Sequence, residues 1–217
     1  MLARKVEAAA AALGDPASAA WGRAEAEQVE LTGTPLGMQP SPYVVASRQG
    51  KPVGKVTRLR VRSLHNGSEV AFRLEWDDPE RNVDTSDNDV FPDGAALLFP
   101  LAEDAPLVTM GAEGKPVNAW HWRADQPGRG RSNVAAGLGT SRVTDEQSIA
   151  TAASWGDGGW KIVFRRALRV PGAEGEAVQM APGDTLRVAF AVWEGANGER
   201  AGLKSFSPGW LPVELED

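Results

Sequence analysis

The 217-residue chain contains no cysteine. That absence excludes disulfides, covalently tethered c-type haem, cysteine-ligated iron–sulfur clusters and thiolate zinc sites together. Any metal must be held by nitrogen, oxygen or thioether donors. Histidine is scarce as well: His65 and His121 are the only two, too few for a three-histidine zinc site. No G-x-S-x-G elbow or other Ser–His–acid context is present, and no acid/base pair suggests a hydrolase or isomerase. Basic charge is also short, 23 Lys and Arg against 29 Asp and Glu, so nothing resembles the counterion-releasing surface of a nucleic-acid binder. No apolar run approaches the roughly 18 residues that span a bilayer. The N-terminal MLARKVEAAAAALGDPASAAW offers only a short alanine-rich stretch broken by Glu7, a poor secretory core. If the natural protein is exported, the expectation is that its signal has been removed or that a partner carries one.

What is present reads as strand. A chain of this length with 42% hydrophobic residues can bury a full core, and all-β sandwiches of this size are commonly one domain. Thr57, Leu59 and Val61 alternate with arginines, and after His65-Asn66-Gly67-Ser68 the alternation resumes through Val70, Phe72, Leu74 and Trp76. This predicts a hairpin whose Asn-Gly pair supplies the positive φ angles of a tight turn. Further strands are predicted at Ala95 to Phe99, Val117 to Arg123, Trp160 to Leu168 and Thr185 to Trp193. Helix is expected only over residues 4–13, from alanine propensity. The expected architecture is all-β: an antiparallel sandwich with long loops enclosing a cofactor at one end and few short helices, one domain over 1–217, with residues 1–20 as a peripheral N-terminal segment.

Individual residues divide between structural and functional readings. The loop DDPERNVDTSDNDVFPD, Asp77 to Asp93, concentrates six aspartates without EF-hand spacing, and a solvated acidic loop is preferred to a calcium site. His65 is expected to be a solvated turn residue. His121 lies between Trp120 and Trp122 in a predicted strand, so it points away from both. Eight tryptophans against one tyrosine fit either a sandwich core or the walls of a flat apolar slot, and pattern alone leaves both open.

Two Trp-rich segments stand apart, MGAEGKPVNAWHW (Met110 to Trp122) and AVWEGANGERAGLKSFSPGW (Ala191 to Trp210). Each places one soft or basic donor, Met110 or Lys204, in a loop beside an apolar strand. Together with WDDPE at Trp76, FPDGAALLFP (Phe91 to Pro100), W…GWKIVFRRAL (Trp155 to Leu168) and, more loosely, DPASAAW (Asp15 to Trp21), these blocks occur in an order that resembles the haem-binding gamma subunits of the type II dimethyl sulfoxide reductase group. The resemblance implies a β-sandwich holding one non-covalent haem b with axial methionine and lysine ligands, here Met110 and Lys204, and Trp120 as a further cofactor-binding residue. It also implies a periplasmic heterotrimer with an iron–sulfur beta subunit and a molybdenum-containing alpha subunit, and electron exchange with an external c-type cytochrome.

The chemistry of the pair agrees with that implication. Thioether sulfur suits haem iron and raises its potential. Lysine ligates only as the neutral amine, a form that at pH 7 costs roughly 4 to 5 kcal/mol from an unperturbed pKa. Burial and a nearby metal both favour it. With both axial positions filled by protein, electron transfer is favoured over catalysis. The competing expectation is a Trp-rich carbohydrate-binding module, which predicts solvent-facing tryptophan platforms.

Overall fold

The computed structural model describes residues 1–145 and 147–217. In chain order its strands are β1 (Leu2–Lys5), β2 (Glu27–Glu30), β3 (Thr32–Gly33), β4 (Arg58–His65), β5 (Glu69–Asp77), β6 (Gly94–Pro100), β7 (Val117–Arg123), β8 (Arg131–Ala135), β9 (Arg142–Val143), β10 (Ala150–Gly156), β11 (Gly159–Ala167), β12 (Thr185–Trp193), β13 (Ser205–Phe206) and β14 (Leu211–Leu215). Two short helices, α1 (Ala10–Gly14) and α2 (Pro42–Arg48), complete the regular structure apart from 3-10 turns.

The strands run in the order β10-β11-β5-β4-β1-β14-β12-β6-β7-β8-β9. Strand β12 is the corner of this path. Thr185 to Val188 pair with β14, whereas Ala189 to Trp193 pair with β6. Such a strand, shared between two layers, folds the path into a sandwich. The predicted hairpin forms as β4 and β5, with Val61 opposite Leu74 and Gly67 at φ 86° in the turn.

Period-two alternation fills the space between the layers. Phe72, Phe99 and Trp120 meet with ring centroids 4.9 to 6.0 Å apart, and Trp122 packs edge-on against Trp160 at 5.1 Å. These side chains are essentially fully buried, and each contributes about 1.5 to 3 kcal/mol of apolar burial. The all-β expectation is met, with one departure from the antiparallel rule: β1 lies parallel to both β4 and β14.

That strand also corrects the reading of the N-terminus. Leu2 to Lys5 are not the start of a helix over 4–13 but a strand inside the sheet, and Ala3 is fully buried. The alanines that suggested helix form only the single turn of α1. Residues 1–20 are therefore not peripheral. Leu13 and Trp21 pack with Ala24 against Leu64, Ala71 and Val163, a second small core that covers the outer face of β4, β5 and β11. This explains why β5 is buried on both faces, a pattern that alternation alone does not predict.

Two further expectations are corrected. His65 ends β4 opposite Val70 and is fully buried; its Nδ1 accepts from the Gly67 amide, and burial lowers its pKa. The turn is one residue shorter than the sequence suggested. The acidic loop is solvated only in part, because Asp78 and Asp93 are fully buried. Asp93 accepts from the amides of Asn82 and Gly195 and from the Trp160 indole, fastening the loop to the end of β12. Asp78 is pushed up to about 7, first by burial and then by Asp93. Among the described residues no cluster of three or more His, Cys, Asp or Glu could hold a metal ion.

Candidate cofactor site

The same alternation that packs the core leaves a distinctive opposite face. Strand β12 turns Val188, Phe190 and Val192 inward, β6 turns Ala95, Leu97 and Phe99 inward, and β7 turns Trp120 and Trp122 inward. Their intervening residues, Ala189, Ala191, Trp193, Ala96, Leu98, Ala119 and His121, line a cavity of about 340 Å³ on the outside of this layer. Register places Phe206, Ala191, Ala96, His121 and Arg131 in one row across five strands. Four alanines keep the floor low, so a flat ligand can lie close to the sheet. The cavity falls within the usual size range for small-molecule and cofactor sites.

Loops close over this floor. Segments carrying Thr34 to Pro40, Leu107 to Met110, Leu138 to Ser141 and Ala201 to Lys204 line the other side. Trp120 is not among the lining residues. It lies wholly between the layers beside Phe72 and Phe99, with the Arg166 guanidinium 4.8 Å from its ring centroid. It faces the core, and its neighbour His121 faces the cavity. Among the eight tryptophans only Trp193 borders the cavity.

Met110 and Lys204 come together there. Met110 adopts the left-handed backbone conformation, φ 57°, followed by Gly111 at φ 86°. For a side chain with a Cβ that conformation costs roughly 1 to 2 kcal/mol, and it is held by the Met110 amide donating to the Leu107 carbonyl and the Gly137 amide donating to the Met110 carbonyl. Lys204 precedes β13, and its carbonyl accepts from both the amide and the hydroxyl of Thr34, at 2.9 and 3.0 Å. The Gln39 side-chain amide fastens the same turn at the Gly202 carbonyl.

Between these two anchored loops the Lys204 Nζ stands 3.4 Å from the Met110 Sδ. Lys204 borders the cavity, with its Nζ over the Trp193 ring at 5.2 Å. Burial alone lowers its pKa to about 8, and among the described residues no carboxylate pairs with it. Keeping this amine neutral at pH 7 therefore costs on the order of 1 to 2 kcal/mol, far less than for an exposed lysine. A soft sulfur and a readily neutralised amine facing each other in an apolar chamber form a donor set that fits haem iron. At 3.4 Å the two atoms touch, so an ion between them requires them to part.

Two more potential donors share the chamber. Met38 lines it from a 3-10 turn, and His121 lines the floor with its ring edge-on to Trp193 at 5.3 Å. Burial, with Arg123, Arg131 and Lys204 nearby, lowers the His121 pKa to about 4, so its imidazole is neutral. Sequence reasoning missed Trp193, Thr34 and Gln39 as parts of the site. The alanines between core residues in β6, β7 and β12 were the available signal.

Comparison with known proteins follows this geometry. Fold likeness extends to carbohydrate-binding proteins: a family 9 module from Caldicellulosiruptor kristjanssonii in complex with glucose superposes with a TM-score of 0.53 at 10% identity, covering 100% of this chain and 95% of its own. A provisionally named carbohydrate-binding protein from Bacteroides uniformis reaches 0.58 at 13% identity, covering 100% and 98%. At such identities the likeness shows the architecture alone.

Sequence likeness points elsewhere. The chlorate reductase subunit gamma of Ideonella dechloratans is 36% identical over 159 residues, 73% of this chain and 65% of that protein. ORF7 of Haloferax mediterranei, provisionally named a respiratory nitrate reductase heme subunit, is 33% identical over 193 residues, 88% of this chain and 65% of its own length. The dimethylsulfide dehydrogenase subunit gamma of Rhodovulum sulfidophilum is 30% identical over 204 residues, covering 91% and 73%. The matches thus span just under two thirds of the first two relatives. The family model described as ethylbenzene dehydrogenase matches residues 18–146 and 137–205, a span that takes in both Met110 and Lys204. By this coverage the chain belongs to the ethylbenzene dehydrogenase family.

Proposed function

We propose that this chain is a non-catalytic electron-transfer subunit that binds one non-covalent haem b, with Met110 and Lys204 as its axial ligands. The observation that carries the reading is the approach of Met110 Sδ to Lys204 Nζ, 3.4 Å apart at an apolar cavity, each on its own anchored loop. The relative named as a heme subunit supports the cofactor class. When bound, the haem supplies a one-electron couple. The chain's own residues would set its surroundings: the alanine floor and Phe206 supply apolar walls, Thr34 and Gln39 hold the Lys204 turn, and Met110 offers a sulfur donor that would favour the ferrous state.

With both axial positions occupied by side chains, no position is left for a substrate, which supports electron transfer rather than turnover. Two relatives are named as gamma subunits of a reductase and a dehydrogenase, and by analogy this chain works beside an iron–sulfur beta subunit and a molybdenum-containing alpha subunit. It exchanges electrons with an external c-type cytochrome, in the periplasm. The net charge of −6 suits transient docking of a basic carrier.

The carbohydrate-binding alternative predicts open tryptophan platforms. Trp155 is the one tryptophan exposed beyond a third of its surface, and its indole nitrogen is engaged by the Asp78 carbonyl. The test between the readings is the single substitutions Met110→Ala and Lys204→Ala after haem reconstitution. Each is expected to convert a low-spin absorption spectrum toward high spin or to abolish binding. An unchanged low-spin spectrum in both would refute the ligand assignment and move attention to His121 and Met38.

A further inference from the structure

Haem b carries two carboxylates on one edge, and a largely apolar chamber must pair them or leave them in water. Inside the cavity the polar side chains differ in what they have left to offer. Thr34 and Gln39 direct their donors to the Lys204 turn, at the carbonyls of Lys204 and Gly202. His121 and Asn133 line the cavity, and the side chain of neither makes a hydrogen bond within the described chain. Both stand on the same face, His121 opposite Arg131 and Asn133 opposite Ala119 in the pairing of β7 with β8.

Charge is arranged around this pair. Arg123 is neutralised by Asp125 at 3.0 Å, but the Arg131 guanidinium reaches only the neutral carbonyl of the Gln126 side chain, and no carboxylate pairs with it among the described residues. This end of the floor therefore brings the imidazole of His121 and the side-chain amide of Asn133 into the cavity and sets Arg131, which does not itself line the cavity, beside His121 in the same row, across Trp193 from Lys204. Guanidinium to carboxylate is among the stronger charge-assisted hydrogen-bonding pairs.

We infer that the β7–β8 end of the cavity, His121 and Asn133 with Arg131 next to them in the strand pairing, is the subsite that receives the carboxylates of the macrocycle and so fixes its orientation between Met110 and Lys204. This rests on the haem reading above and adds what that reading leaves open: which edge of the ligand goes where.

The test is an optical titration of the metal-free protein with haem and, separately, with haem dimethyl ester, in which both carboxylates are capped. Wild type is expected to bind haem at least roughly tenfold more tightly than the ester, the loss of a charge-assisted pair. Arg131→Gln should bind the ester as wild type does and lose most of the preference for haem, with Arg131→Lys restoring part of it. Ester binding in each variant reports that the cavity is still formed. Equal affinity of wild type for the two macrocycles, or a preference that survives in Arg131→Gln, would overturn the subsite while leaving the haem reading intact. Failure of wild type to bind either macrocycle would overturn both.

Discussion

At Met110 the backbone sits in a conformation that side chains bearing a Cβ rarely adopt, and the next residue must be glycine for a concrete reason. A Cβ at Gly111 would fall 2.7 Å from the Lys115 carbonyl and 2.9 Å from the Ala135 carbonyl. Gly111→Ala is therefore expected to displace Met110 without altering either donor. Its reconstituted spectrum should move toward that of Met110→Ala, and a wild-type spectrum would show that the left-handed turn does not position the sulfur. Asp78 yields a prediction of opposite character. Its carboxyl is pushed up to about 7 in the fold, above the ordinary value of 3.8, so the folded state holds a proton that the unfolded state releases. Its contribution is thus most favourable below the unfolded value and is lost as pH rises through 7. Asp78→Asn should stabilise the protein above pH 7, by an amount on the order of a few kcal/mol at most, with little change near pH 4. Urea unfolding at both pH values checks this, and a larger gain at the lower pH would contradict the burial argument.

At the level of elements, β5, β6, β7, β11 and β12 were legible because each alternates large apolar residues over several positions, and the Asn66-Gly67 turn announced its hairpin. Strands β1 and β10 were not. The first is four residues of mixed polarity whose pairing partners lie far along the chain, and the second, ATAASWG, is an edge strand of small residues with no apolar face. The site followed the same division. Met110 and Lys204 stood out as donors in the Trp-rich segments but were paired only through family resemblance, since no spacing links residues 94 positions apart. The place of Trp120 was not legible: two tryptophans in alternate positions of β7 share the core face, which leaves the cavity to His121. The unforeseen role of β1 is testable. Removing Met1 to Lys5 leaves β4 and β14 without their shared partner and uncovers Ala3's neighbours, so a marked fall in thermal midpoint is expected. An unchanged midpoint would mean that the strand only decorates the sheet.

For the whole molecule, the fold and the family diverge in an instructive way: architecture is shared with carbohydrate-binding modules, whereas the sequence aligns with gamma subunits. A shared architecture does not fix a shared function, and the proposed difference lies in the loops over one sheet face. Since one haem is a single one-electron centre, the isolated chain is expected to take up one electron and to transform no substrate of the complex. In the complex, Met110→Ala should slow electron delivery to the external carrier while leaving activity with artificial dyes intact. Substrate transformation by the chain alone would contradict the subunit reading.

The central claim, one non-covalent haem held between Met110 and Lys204, is tested most directly by titrating the purified chain with haem and following its Soret band. The account predicts saturation at one haem per chain, low-spin bands that shift on dithionite reduction, and complete release of haem into acidic organic solvent, because no cysteine exists to tether it. A chain that develops no Soret band under these conditions, or that retains haem after extraction, would contradict it.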